Sequence, residues 1–425
     1  MKLFIPLATG LLRFKAILVF LTAFMGLCNA QFRPPQVDIV PSDTVDYAFI
    51  HQSENEVENG AVLAPLFAKM LLQRTVGCHK ISIVHLGDSH VLGDYLTREV
   101  RERLQREFGN AGRGLIFPYK LAHSNGPKDF FVETNCRWVG SSCQKDLSPK
   151  TNFGVSGFKV ETINIQSKLT FKLRNTAPTD TLLFNKVTVF QQKNTSEYDL
   201  EIRDDITNQT AVPFISDDFS STYFFDNPVA QVTIAAKKTK AIQKKLTLDG
   251  VSLENNQSGV VYHAIGVNGA KFMDFSRAKH FARQVADLEP DLVILSFGTN
   301  EGQGKIQPDY LRQAMDNLTS EILESCPTTF IMLTTPADSY LRGKGNNPYL
   351  NDISTAIRTF ALEKGFPLWD LHQFTGGLNS ADNWKQNNLM SSDSVHYSKL
   401  GYIVQGKLLY QSIIKSYNRF VETGQ

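Results

Sequence analysis

The sequence predicts an α/β fold on a parallel sheet, interrupted by an inserted β-sandwich domain. Three observations carry that expectation. Residues 81–86 and 292–297 are mostly apolar runs, each followed by a glycine, as strands buried on both faces of a parallel sheet are. An amphipathic pattern follows the first run, with Leu96, Val100, Leu104 and Phe108 four residues apart. From about Asn125 to Glu254 helical periodicity disappears, and short alternating segments divided by turn residues replace it.

Taken in order, the chain opens on what reads as an export signal over residues 1–30. Lys2, Arg13 and Lys15 supply positive charge around the short apolar stretch Ala16–Cys28, and Ala30 is placed for cleavage before Gln31. That stretch is too short to span a bilayer comfortably. Leu27 is bulkier than the small residue usual before a lipid-bearing cysteine, which favours clean cleavage. A periplasmic or secreted protein with no stable membrane insertion is therefore expected. Residues 31–124 form the first part of the α/β domain. They comprise a polar lead-in to Glu58, a helix over Val62–Gln73, the Ile81 strand with its helix, and a glycine-rich loop at Gly109–Gly114.

The insert, residues 125–254, is expected to hold strands at Lys168–Leu173, Lys186–Phe190, Glu197–Ile202 and Gln231–Ala235. Residues 255–425 return to the α/β rhythm. A helix is expected over Phe272–Leu288, then the strand ending at Gly298, and a helix over Pro308–Cys326 with Pro308 in its first turn. A strand at Phe330–Leu333, a helix at Asn351–Lys364, a strand at Pro367–Leu371 and a C-terminal helix from Lys399 complete the domain.

The charge balance excludes a field that would steer the chain to nucleic acid, since 44 Lys and Arg meet 42 acids over 425 residues. The one basic cluster, Lys237, Lys238, Lys240, Lys244 and Lys245, reads either as a solvated edge or as an anionic-glycan contact. Beyond the signal there are four cysteines. Cys136 and Cys143 are placed to close a small loop in an oxidising compartment, whereas Cys78 and Cys326 suit buried free thiols equally well. None has zinc-ligand spacing. The glycines at 109–114 follow a helix and not a strand, and Gly298–Lys305 departs from the P-loop spacing, so neither cofactor nor metal is expected.

The chemistry gathers at strand ends. In Gly87-Asp88-Ser89 a strand stops at a tight turn before a helix, which places Ser89 where open α/β sheets hold ligands. Ser89 could equally be a helix-capping serine. Gly298-Thr299-Asn300-Glu301 ends a second strand, and Asp393-Ser394-Val395-His396 precedes the last helix. A serine, an asparagine and an Asp–His pair are the parts of an acyl-transfer site.

With Gly266-Val267-Asn268-Gly269-Ala270 between them, these blocks resemble, in order, the four motifs of the SGNH or GDSL-type hydrolases. The strings Gly87-Asp88-Ser89-His90 and Phe108-Gly109-Asn110-Ala111-Gly112 are most similar to those of periplasmic peptidoglycan O-acetylesterases, which carry a carbohydrate-binding-like β module. The resemblance implies an SGNH-type three-layer sandwich and an esterase that removes O-acetyl groups from a glycan. It implies Ser89 as nucleophile, His396 as base and Asp393 as its orienting acid. The oxyanion hole would be Ser89 N–H, Gly269 N–H and the Asn300 amide.

Lower in rank, Asp88 fixes the turn, and His85 and His90 sit poorly as bases. Thr299 and Glu301 are candidates for the pocket, and His263, Asp338 and Trp384 for substrate contact, with core roles favoured. In the insert, Phe214, Tyr223, Phe224 and Phe225 are candidates to stack on sugars, although strand aromatics are more often core. An O-acetyltransferase using the same acyl-serine, or a glycan-binding surface protein with a vestigial hydrolase domain, would share these residues. The absence of a G-x-S-x-G elbow argues against an α/β-hydrolase.

Overall fold

A computed structural model describes residues 35–174 and 182–424 of the chain, and the expected export signal lies outside them. Its centre is a parallel sheet of five strands, β1 (Lys80–Gly87), β2 (Gly259–Gly266), β3 (Leu292–Ser296), β4 (Phe330–Thr334) and β5 (Leu368–Trp369), in the order β2-β1-β3-β4-β5. Side chains alternate across it as the strand period demands. Ile81, Ile83, Leu292 and Ile294 pack on one face, and Val84, Leu86, Val293 and Leu295 on the other.

The helices that matter here are α1 (Ala64–Val76), α2 (Ser89–Leu92), α3 (Tyr95–Phe108), α4 (Pro308–Ser325), α5 (Leu350–Lys364) and α6 (Lys399–Thr423). The first face is covered by α1, α3 and α6 through Phe67, Leu104 and Leu409, among others. The second is covered by α4 and α5 through Leu318 and Ile357. These are the three layers of an α/β sandwich. Among the described residues no helix is long and apolar enough to cross a membrane.

Three antiparallel sheets make up the β-rich part. One has the order Val212–Ser216, Ser220–Val229, Phe184–Phe190, Gly250–Glu254, Gly112–Ile116. The second runs Phe130–Thr134, Lys168–Leu173, Gln231–Lys237, Asp199–Asp204, Gln209–Thr210, and the third Leu246–Leu248, Phe158–Thr162, Val139–Ser142. Their inward apolar residues, Phe158, Phe171 and Val187 for example, join the second face of the central sheet in one contiguous core.

Three expectations need correction. The glycine-rich loop contains a strand, Gly112–Ile116, which pairs antiparallel with Gly250–Glu254 at the root of the β module. Gly112 makes this approach possible, because a Cβ there would lie 2.5 Å from the Glu254 Cα. The helix expected over Phe272–Leu288 is two short helices, Phe272–Ser276 and Phe281–Ala286. Between them the backbone turns to the module: Thr151 N–H donates to Arg277 O at 2.8 Å and Lys279 N–H to Thr151 O at 2.9 Å. Tertiary pairing overrides helical propensity there. Finally, Cys136 and Cys143 are not bonded to each other; Cys78, Cys136, Cys143 and Cys326 are all free thiols.

Candidate functional site

The site forms where the sheet changes direction. After β1 the chain crosses to β2 on one side, and the next strand, β3, lies on the other side of β1. The carboxyl end of β1 is thus the topological switch point, where helices diverge and leave a crevice. Ser89 stands there as the first residue of α2. The N-cap is Asp88, whose Oδ1 accepts the His90 N–H at 2.9 Å, so the capping role falls to the acid and leaves the serine hydroxyl free for another partner.

That partner is His396. Ser89 Oγ lies 2.9 Å from His396 Nε2, and His396 Nδ1 lies 2.6 Å from Asp393 Oδ2. The Asp393–His396 turn is held locally. Asp393 Oδ1 accepts the backbone N–H groups of Val395 at 3.0 Å and His396 at 2.9 Å, and the Ser391 hydroxyl at 2.5 Å. Partial burial works against ionisation of Asp393, but the hydrogen bonds from Ser391 and His396 hold its carboxyl well below the usual carboxylate range. An ionised acid on Nδ1 leaves Nε2 facing the serine.

The turn after β2 brings the glycine block beside Ser89. Gly269 has φ +74°, a left-handed conformation that glycine adopts freely, and the Gln144 side chain lies 3.6 Å from where its Cβ would be. Neither the Ser89 nor the Gly269 N–H donates to a protein acceptor among the described residues. Asn300 is brought beside them, but its amide is occupied. Nδ2 donates to Asp88 Oδ2 at 3.0 Å and to Ala270 O at 3.1 Å.

Two buried acids back this arrangement. Burial pushes Asp88 up to about 8 and Glu301 up to about 7. Glu301 accepts the Phe272 and Gly298 N–H groups at 2.9 and 3.1 Å, tying the asparagine block to the helix after the glycine block. It is buried and does not line an open pocket. Thr299 borders a small cavity of about 40 Å³ beneath the turn, shared with Asp88, His90, Tyr397 and Gln405.

The other candidates lie away from the reacting atoms. His85 is buried between Tyr262 Oη at 2.7 Å and Ser296 Oγ at 2.6 Å, and desolvation lowers it to about 3. His90 is also lowered to about 3 by burial; its Nδ1 meets Tyr402 Oη at 3.0 Å, and its ring lies 5.2 Å from that of His396. Both rings are buried, held neutral by desolvation, and pack beside the Asp88–Ser89 turn. His263, Asp338 and Trp384 are interior residues and do not reach a substrate surface, with His263 Nδ1 accepting the Leu115 N–H at 3.1 Å. In the insert Tyr223 and Phe225 are core, whereas Phe214 is exposed and stands edge-on to Phe224.

Two residues at the site carry no motif in the sequence. Gln144 reaches Gly269 from the insert. Asn125 Oδ1 accepts Asn268 Nδ2 at 2.7 Å, so the β module forms part of the wall beside the glycine block. Gln144 sits in a short 3-10 helix, Cys143–Lys145, and Asn125 in a loop, and only the folded chain reveals their proximity to the glycine block.

Known proteins share parts of this architecture. Residues 239–404 match the GDSL-like Lipase/Acylhydrolase family, a span that holds Gly269, Asn300, Asp393 and His396 while Ser89 precedes it. A solved structure of a peptidoglycan O-acetylesterase in action is similar over 87% of this chain and 98% of its own, with a TM-score of 0.67 and 20% identity. A family two carbohydrate esterase from Cellvibrio japonicus covers 68% of this chain and 99% of its own, with a TM-score of 0.29 and 10% identity. The lipase/acylhydrolase from Enterococcus faecalis covers 37% of this chain and 77% of its own, with a TM-score of 0.30 and 19% identity. No match was found among curated proteins. Over residues 239–404 the chain is thus similar to GDSL-like lipases/acylhydrolases, and it shares the fold of the O-acetylesterase structure.

Proposed function

We propose that the protein is a serine esterase that removes O-acetyl groups from an extracytoplasmic polysaccharide, with peptidoglycan the favoured substrate. The observation that carries this reading is the continuous Ser89–His396–Asp393 relay, 2.9 and 2.6 Å at its two links. Ser89 Oγ attacks the acetyl carbonyl while His396 Nε2 takes its proton and Asp393 steadies the imidazolium. The tetrahedral oxyanion is received by the Ser89 and Gly269 N–H groups, which have no other acceptor among the described residues. The proton then passes to the departing sugar hydroxyl, leaving acetyl-Ser89. Water attacks this ester with His396 again as base, releasing acetate.

Asn300 joins the oxyanion hole by exchanging its bond to Ala270 O for one to the oxyanion, while Asp88 holds the amide in place. Asn300→Ala is then expected to lower kcat by about 10²–10³ with little change in KM. Steady-state kinetics on p-nitrophenyl acetate measures both constants, and a change confined to KM would exclude the oxyanion role.

The peptidoglycan assignment is supported by the fold shared with a peptidoglycan O-acetylesterase, by the β module forming a wall of the site, and by the export signal read from residues 1–30. A site for a small acyl group on a long polymer has no tunnel for a fatty chain. Each methylene that finds no apolar surface forgoes about 0.8 kcal/mol of burial, so kcat/KM is expected to fall from acetyl through butyryl to octanoyl p-nitrophenyl esters. O-acetylated sacculi are expected to release acetate. Preference for octanoyl esters together with no acetate from sacculi would overturn the substrate assignment. Release of acetate only when an acceptor sugar is added would make the protein a transferase.

A further inference from the structure

The β module carries a cleft that the acyl-transfer machinery does not use. It has a volume of about 430 Å³ and is walled by residues 117–121, 124–128 and 130–132, with Arg174 at its edge. That volume is within the range that takes a small ligand or one or two sugar rings. Its apolar wall includes Tyr119 and Phe131.

Its charge is one-sided. Lys120, Lys128 and Arg174 border it, and no acidic residue lines it. All three cations are exposed, and none forms an ion pair among the described residues. In a chain whose charges otherwise nearly balance, that leaves a local excess of positive charge over an aromatic surface. The nearby acids are already engaged. Asp129 is buried against Arg113 and Arg101, and Glu133 pairs with Lys172 at 2.7 Å. The Arg174 guanidinium lies over the Phe131 ring, 4.6 Å from its centroid, which holds the cation at the cleft.

Two residues of the cleft touch the glycine block. Ser124 and Asn125 belong to its wall, and both are within hydrogen-bond reach of Asn268 Nδ2, at 3.3 and 2.7 Å. Asn268 adjoins Gly269. A polymer strand lying in the cleft therefore passes the oxyanion side of Ser89.

We infer that this cleft is a subsite for a carboxylate-bearing segment of the glycan substrate, with Lys120, Lys128 and Arg174 receiving the carboxylate and the aromatic wall receiving an apolar sugar face. The inference rests on the proposed polysaccharide esterase reading. Its recognition chemistry is that of charge-assisted hydrogen bonds joined to ring stacking.

The test measures binding without turnover, so that it stands apart from the fate of the acyl-serine reading. Full-length protein carrying Ser89→Ala is co-sedimented with O-acetylated sacculi, and with the same sacculi after their carboxyls are converted to amides. Binding to the amidated sacculi is expected to be at least about tenfold weaker. The added substitutions Lys120→Gln, Lys128→Gln and Arg174→Gln are expected to cause a similar loss on native sacculi and little further loss on amidated ones. Because all three side chains are exposed, the melting temperature is expected to stay that of the parent. Equal binding to native and amidated sacculi, or an unchanged affinity in the triple variant, would overturn the subsite. A separate loss of p-nitrophenyl acetate turnover on Ser89→Ala reports on the esterase reading alone.

Discussion

Ser89→Ala is expected to fold like the wild type and to lose turnover by roughly 10⁶-fold, the scale seen when the nucleophile of a serine triad is removed. The fold should survive because the N-cap of α2 is Asp88, so the missing hydroxyl leaves no helix end unsatisfied. Its one hydrogen-bond partner, His396 Nε2, belongs to a partly exposed ring and is rehydrated by water. Residual activity would come from the oxyanion donors and from substrate binding, which the substitution leaves in place. His396→Ala is expected to cost a similar factor, and the double variant little more, since the two residues act as a unit. A serine-directed phosphonate, followed by peptide mass analysis, should label Ser89 in the wild type and leave the Ala variant unmodified. Wild-type turnover in Ser89→Ala would remove the serine from the mechanism.

Asp129→Ala is expected to cause the largest loss of stability. Four buried charges meet where α3 contacts the root of the β module. Arg101 lies 2.8 Å from Asp94 and 3.4 Å from Asp129, and Arg113 lies 3.1 Å from Asp94 and also pairs with Asp129. All four side chains are at most 5% exposed, so removing Asp129 leaves two buried guanidiniums sharing the single carboxylate of Asp94. That costs about 3–5 kcal/mol.

Chemical denaturation would show it as a lower midpoint. Replacing Arg113 and Asp129 together by apolar residues of similar size should recover much of the loss. The same network adds acid sensitivity. Burial alone would raise Asp94, but Arg101 and Arg113 overcome it and hold the carboxyl below its ordinary 3.8. A depressed folded-state value means that Asp94 stabilises the fold above pH 4 and that this contribution fades as pH falls below it. Asp94→Asn should therefore lower stability at neutral pH and flatten its dependence on acid. An unchanged denaturation midpoint in Asp129→Ala would show that the arginines find other partners.

The sequence made the α/β framework legible because its strands are buried on both faces. Leu292–Leu295 is apolar throughout, and no surface role accounts for such a run. The helices α3 and α4 were equally plain, since each buries one stripe. The broken helix after Phe272 was not, because nothing in that local sequence announces that Thr151 will compete for its backbone. The strand at Gly112 was hidden for a related reason. Its glycines read as loop residues, whereas in the fold Gly112 gives the backbone of Glu254 room to approach and Gly114 that of Tyr262. At the site, motif residues could be named one by one, and the fold brings Ser89 to His396 across 307 positions. What no motif conveyed is that the Asn300 amide is committed to Asp88 and Ala270, or that Gln144 and Asn125 arrive from the insert.

The ladder between Gly112–Ile116 and Gly250–Glu254 also bears on how the chain reaches this structure. β1 must find β2 across the whole module, and during synthesis it emerges well before either of its sheet neighbours. Closing a loop that long is an entropic obstacle that slows assembly more than it weakens the result. Once the ladder forms, residues 117–249 no longer count as slack, because their two ends are already pinned side by side. The remaining path from β1 to β2 is only α2, α3 and a few residues on either side of the ladder. The insert thus turns from an interruption into a clamp: with the ladder in place, β1 closes on β2 across a short path instead of a long loop.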